Sequence, residues 1–121
     1  MRSATQAYQS VAKQTASPRD LEADLLLKAA SRLQAIQDRW DSEHKTLDAA
    51  LLYNRKLWSI FLTSATSGDN PLPTDVRQNV ANLGLYVMTQ TVSALTDPKP
   101  EQLRPLININ RELAAGLRTI R

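Results

Sequence analysis

A single histidine, three glycines and no cysteine leave little from which an active site can be built. His44 sits among Asp41, Glu43 and Lys45. A general base can be drawn from that set, but the same residues also read as a solvated histidine in a polar junction, and that is the expectation. Asp20 and Asp24 stand one helical turn apart and have the oxygen chemistry of a hard-cation site. Acids near the start of a helix are ordinarily solvated residues that complement its dipole, which is how these are read. No serine or threonine lies in a nucleophile-elbow context. Without cysteine there is no thiol catalysis, Cys-based zinc site or iron–sulfur cluster, and so few glycines nearly exclude a phosphate-cradling loop. The expectation is a protein without catalytic residues, metal, cofactor or small-molecule substrate.

Two polar clusters inside apolar surroundings are more informative. In Asn54-Arg55-Lys56-Leu57-Trp58, two cations and an amide interrupt a strongly apolar stretch. On a structural reading, Leu57 and Trp58 are core while Arg55 and Lys56 extend their charged ends to water. On a functional reading, Trp58 and Arg55, both common at binding hot spots, anchor a partner. The second cluster is Asn108-Ile109-Asn110-Arg111. Asparagine is a poor helix-interior residue, so a reason for it is expected. Asn110 falls on an apolar stripe. It is either a buried amide that fixes helix register or a partner contact.

The elements that carry these clusters are helical. The breakers gather at Ser17-Pro18, at Ser67 to Pro73 and at Asp97 to Pro100, and the segments between them have helical periodicity. Residues 3–15 form a short candidate helix with Ala4, Tyr8 and Val11 on one face. Ser17 as cap and Pro18 as first residue open a second helix, with Leu21, Leu25, Ala29, Leu33, Ile36 and Trp40 as its stripe. Residues 41–45 are a turn, or the bend of one helix running from 19 to 65. From Leu47 to Ala65 the pattern is apolar over most of its circumference, as in a central bundle helix or one that offers a face to a partner. Thr74 is expected to cap the next helix, whose stripe is Val76, Val80, Leu83, Val87, Thr91 and Leu95. Pro98 or Pro100 opens the last, with Leu103, Ile107, Asn110, Leu113, Leu117 and Ile120 inward and Pro105 delaying or kinking its start. Gly84 and Gly116, inside helical patterns, are expected to permit close helix packing. The fold class is all-α: one domain over 1–121, a bundle of four to five mostly antiparallel helices, with residues 1–16 as a first helix whose attachment is left open.

The chain has 121 residues and a net charge of +3. The basic excess lies at the two ends and at Arg55-Lys56, with no run of like charge longer than two. Arg104, Arg111, Arg118 and Arg121 motivate a nucleic-acid reading, but no helix-turn-helix or aromatic-rich sheet signature accompanies them. Met1 to Gln14 lacks the apolar core of a secretory signal. The longest apolar run, Ala49 to Tyr53, is far short of a spanning helix. The cytoplasm is the expected compartment, with no membrane insertion.

The ordered set of motifs resembles the FlaF family of bacterial flagellar biosynthesis regulators. The matching features are Ala7-Tyr8, then Ser17-Pro18-Arg19 with Glu22-Ala23, then Asn54-Arg55-Lys56-Leu57-Trp58. They continue with Asn70-Pro71-Leu72-Pro73 and Arg77, Asn82-Leu83, and Asn110-Arg111 with Ala114-Ala115-Gly116-Leu117. The resemblance spans nearly the whole chain. It implies a non-enzymatic cytoplasmic factor needed for flagellin to be made and exported, working alongside a second regulator, FlbT. The implied partners are flagellin and/or a FlbT-like regulator, reached by protein–protein binding. A bundle with an amphipathic face suits the terminal helices of unassembled flagellin, a chaperone-like role. The alternatives are a FlbT-binding regulator that never touches flagellin, and a basic helical RNA-binding protein. The residues expected to meet a partner are Asn54, Arg55, Lys56, Trp58, Arg77, Asn110 and Arg111.

Overall fold

The computed structural model describes residues 18–69 and 71–119, and the candidate helix 3–15 and its cap Ser17 lie outside them. Four long helices carry the fold: α1 (Pro18–Asp38), α2 (Leu47–Ala65), α3 (Thr74–Thr96) and α4 (Leu103–Thr119). No strand occurs among the described residues. The architecture is an all-α bundle, as the periodicity predicts.

Pro18 is the first residue of α1, where a missing N–H costs nothing because no carbonyl precedes it in the helix. The buried side is Ala23, Leu26, Ala29, Ala30, Leu33 and Ile36. Leu25, expected on this stripe, is instead exposed, since Leu26 and the alanine pair around it complete a better-centred face. α1 ends at Arg39, whose φ of −122° and ψ of 44° leave the helical region. The polar junction is therefore a break: one helical turn at Trp40–Glu43, then a 3₁₀ turn at His44–Thr46. His44 Nδ1 lies 2.7 Å from the Trp40 carbonyl, and its ring stacks on Trp40 at 5.7 Å. It is an exposed linker histidine.

α2 buries Leu47, Ala50, Leu51, Asn54, Leu57, Trp58, Phe61 and Ala65. α3 starts at Thr74 with Pro73 in the capping position and no side-chain cap, so the expectation of a Thr74 cap is corrected by one residue. Pro100 opens a 3₁₀ turn, Pro100–Gln102, that leads into α4. Pro105 sits in the first turn of α4, where N–H groups lack intrahelical partners anyway, so it neither delays nor interrupts the helix.

The helices pack most extensively as the pairs α1–α4 and α2–α3, with α1 against α2 joining the pairs. α3 meets α4 only sparsely. Neighbours are antiparallel: Arg118 at the end of α4 pairs with Asp24 near the start of α1. At the α2–α3 crossing, a Cβ at Gly84 would collide with the end of the Leu62 side chain, so any larger residue there requires Leu62 to move. Gly116 differs. Among the described residues nothing lies within 4 Å of a Cβ placed there.

Candidate functional site

The two polar clusters of the sequence meet in the bundle interior. Asn54 and Trp58 sit one turn apart on the inward face of α2, and Asn110 projects from α4; all three are fully buried. Trp58 Nε1 donates to Asn110 Oδ1 at 2.9 Å. Because an indole nitrogen is only a donor, this bond fixes the orientation of the Asn110 amide. Asn110 Nδ2 then donates to Asn54 Oδ1 at 2.7 Å and to the Leu26 carbonyl of α1 at 3.3 Å. One amide thus links three helices. The Trp58 ring meets Phe61 edge-on with centroids 6.0 Å apart. The cluster leaves one group orphaned, the buried Asn54 Nδ2. An unpaired buried N–H costs about 1–3 kcal/mol, so the cluster serves register more than net stability.

Three of the residues expected to meet a partner are therefore placed inside the bundle. Asn54, Trp58 and Asn110 cannot touch a partner in this fold, because helix–helix packing excludes even water from them. Arg77 is also engaged in structure. Its Nε donates to the Ala65 carbonyl at 2.8 Å and its Nη2 to the Ser67 carbonyl at 3.0 Å. These bonds satisfy acceptors at the end of α2 that the helix itself leaves unpaired. Arg55, Lys56 and Arg111 remain exposed. The first two share the outer side of α2 and the third lies on α4, so they do not form one patch with the buried cluster.

The candidate surface is α3. From Gln78 to Thr96 it carries no charged side chain, although much of it faces solvent. Leu85 is 68% exposed and Val92 57%, and Tyr86 is also outward. Ala81, Leu85, Met88, Val92 and Leu95 alternate by four and three residues, which aligns them on one flank. Across the α2–α3 crossing, Leu52 and Ile60 of α2 are exposed too. Depletion of charge with retained large apolar side chains is the composition of an interface core. The opposite flank of α3 borders a groove against α4, lined by Val76, Val80, Leu83, Leu113, Gly116 and Leu117, with a volume of about 250 Å³.

One acid stands beside that groove. Glu22 contributes to the cleft that Val80, Leu113 and Leu117 also line. Burial raises its carboxyl above the ordinary range, and neighbouring Arg19 offsets part of that. Among the described residues no group of three or more His, Asp or Glu side chains is placed to hold a metal ion. Among the described residues no helix is long and apolar enough to cross a membrane either.

The run without charge from Gln78 to Thr96 is legible in the sequence, and the stripe places Val80 and Thr91 inward, as found, with Leu85, Met88 and Val92 beside it; which of these face solvent only the packing decides. Fold and site together define a helical-bundle protein with a register-fixing amide cluster inside and an uncharged helix face outside. The chain belongs to the FlaF family: the family described as flagellar protein FlaF matches residues 4–117, nearly its whole length. Neither the curated proteins nor the solved structures contain a match.

Proposed function

We propose that this flagellar protein is a non-enzymatic cytoplasmic regulator of flagellin synthesis and export that works by binding protein. Its partner on this reading is flagellin, held in chaperone-like fashion through the amphipathic helices that otherwise drive premature polymerisation. Family membership supports the flagellar setting. The observation that carries the binding mode is the uncharged outer face of α3, with Leu85, Tyr86 and Val92 in solvent. An amphipathic helix laid on such a surface buries its apolar face without desolvating a charge.

Titration calorimetry of the purified protein against flagellin monomer tests this reading. Saturable binding at tens of micromolar or tighter, weakened by Leu85→Asp, is the expected result. Absence of heat at that concentration removes the direct-chaperone form. Co-purification of a FlbT-like regulator from a strain without flagellin would instead favour binding to that partner. An RNA complex would betray itself by steep loss of affinity with salt.

A further inference from the structure

The outer side of the α2–α3 pair carries two charges outside any ion pair. Asp48 and Arg55 stand two turns apart on α2, about 10 Å, with Leu52 between them. Both charged side chains are exposed, and among the described residues neither joins an ion pair. Asp48, Arg55 and Leu62 repeat every seven residues, so they lie along one line of the helix. Leu62 is the side chain that meets Gly84, so this line borders α3. The two helices run antiparallel there, because Arg77 near the start of α3 bonds the Ala65 and Ser67 carbonyls at the end of α2. Counting back from Leu62 and forward from Gly84 brings Leu52 and Val92 to nearly the same level. Both are exposed, at 44% and 57%. α3 adds no charge between Gln78 and Thr96, and Lys56 turns to the other edge of α2, where it borders Ile60 and Ser64. The face thus runs acid, apolar centre, base. Asp48 in the first turn suits the helix dipole, but the dipole gives no reason for a base two turns on.

We propose that this face pairs with the same face of a second copy of the chain, in a twofold dimer with the two α2 helices antiparallel and Leu52 and Val92 near the axis. The order of charges selects this occupant. A twofold interface uses one patch twice, so the patch must be complementary to itself. Asp48 and Arg55 meet that condition, because they stand on either side of Leu52 at nearly equal distances. Turning one copy end to end sets each Arg55 against Asp48 of the second copy, and the pair is made twice. Parallel helices would instead set Asp48 on Asp48 and Arg55 on Arg55, a repulsive arrangement that fixes the antiparallel one. A separate partner would need an acid and a base at the same spacing in the reverse order, which a second copy has by construction. Between the two ion pairs Leu52 and Val92 leave water, and α3 brings no charge to be desolvated. The patch is small among specific interfaces, so the dimer is a weak one. Its formation covers part of the face that binds flagellin on the reading above, so the two associations compete.

The dimer rests on the exposed face and its charges, not on the flagellin reading, and its test uses the full-length chain alone, so either can fail without the other. Sedimentation equilibrium from about 5 to about 500 μM spans weak association. The expected result is a monomer at the low end and a dimer at the high end. Arg55→Asp sets acid against Asp48 of the other copy, and Asp48→Arg sets base against Arg55. Each alone should weaken dimerisation by about tenfold or more, since like charges then face each other twice. Mixed in equal amounts, the two variants should associate again as a heterodimer, because every acid then faces a base. A defect of folding could not produce that rescue, and circular dichroism checks that each variant keeps its helices. Leu52→Lys, at an exposed central position, supplies a second loss of dimer that does not depend on the charge pairs. A wild-type chain that stays monomeric at the highest concentration overturns the proposal. So do single variants that dimerise as the wild type does, or an equal mixture that stays monomeric.

Discussion

Asn110 concentrates more of the fold's specificity than its size suggests, because its amide answers to the indole of Trp58, the amide of Asn54 and the carbonyl of Leu26 at once. Replacing it with alanine strands two buried donors or acceptors, and each stranded group costs about 1–3 kcal/mol. Asn54→Ala removes a side chain that already carries an orphaned N–H, so it should cost less than Asn110→Ala in the same urea denaturation series. Trp58→Ala should cost about 3–5 kcal/mol, the usual range for deleting a buried aromatic, and any loss of partner binding would follow from loss of fold. Glu22 gives a prediction in pH. Its folded-state pKa lies above the unfolded value because of burial. The folded state therefore binds the proton more tightly, a contribution present below the unfolded pKa and lost as pH rises through the folded one. Glu22→Gln should raise the melting temperature at pH 7, and that advantage should disappear below about pH 4.

At the scale of elements, the pairing of α2 with α3 depends on two local devices. Gly84 lets the helices meet at Leu62, and an alanine there forces the Leu62 side chain to shift. Gly84→Ala is expected to destabilise by about 1–3 kcal/mol, as overpacking does, despite alanine's better helix propensity. Chemical denaturation with circular dichroism measures the sign, and a stabilised variant would refute the close contact. Arg77 reaches from α3 to the end of α2 and accounts for the Ala65 and Ser67 carbonyls. Arg77→Ala should accelerate amide exchange in the last turn of α2 and the first of α3 while leaving the Asn110 cluster protected.

For the whole molecule, interior and surface have been separated by chemistry. Amides and the indole hold α1, α2 and α4 in register, whereas α3 carries its apolar excess outward. Leu85→Asp should abolish partner binding with little change in melting temperature, since an exposed site contributes little to the core. Arg55→Glu should likewise leave stability unaltered, its side chain being in solvent. If it also leaves binding unaltered, the partner surface is confined to α3. Measuring both variants by calorimetry and thermal denaturation distinguishes a surface patch from a core defect.

The sequence by itself determined the helices, because a periodicity of three and four residues and the breakers at Pro18, Ser67 to Pro73 and Pro100 act locally. It also determined the family, whose motifs run in order along the chain, and the linker character of His44. It left Trp58 and Asn110 with two readings each, because periodicity gives the face of a helix but not what covers that face. Only the tertiary structure, by bringing Trp58 within 2.9 Å of Asn110 across fifty-two residues of chain, placed both inside. The same holds for the glycines. Gly84 and Gly116 look alike in sequence, and only the packing of neighbouring helices separates the one pressed against Leu62 from the one that opens on a groove.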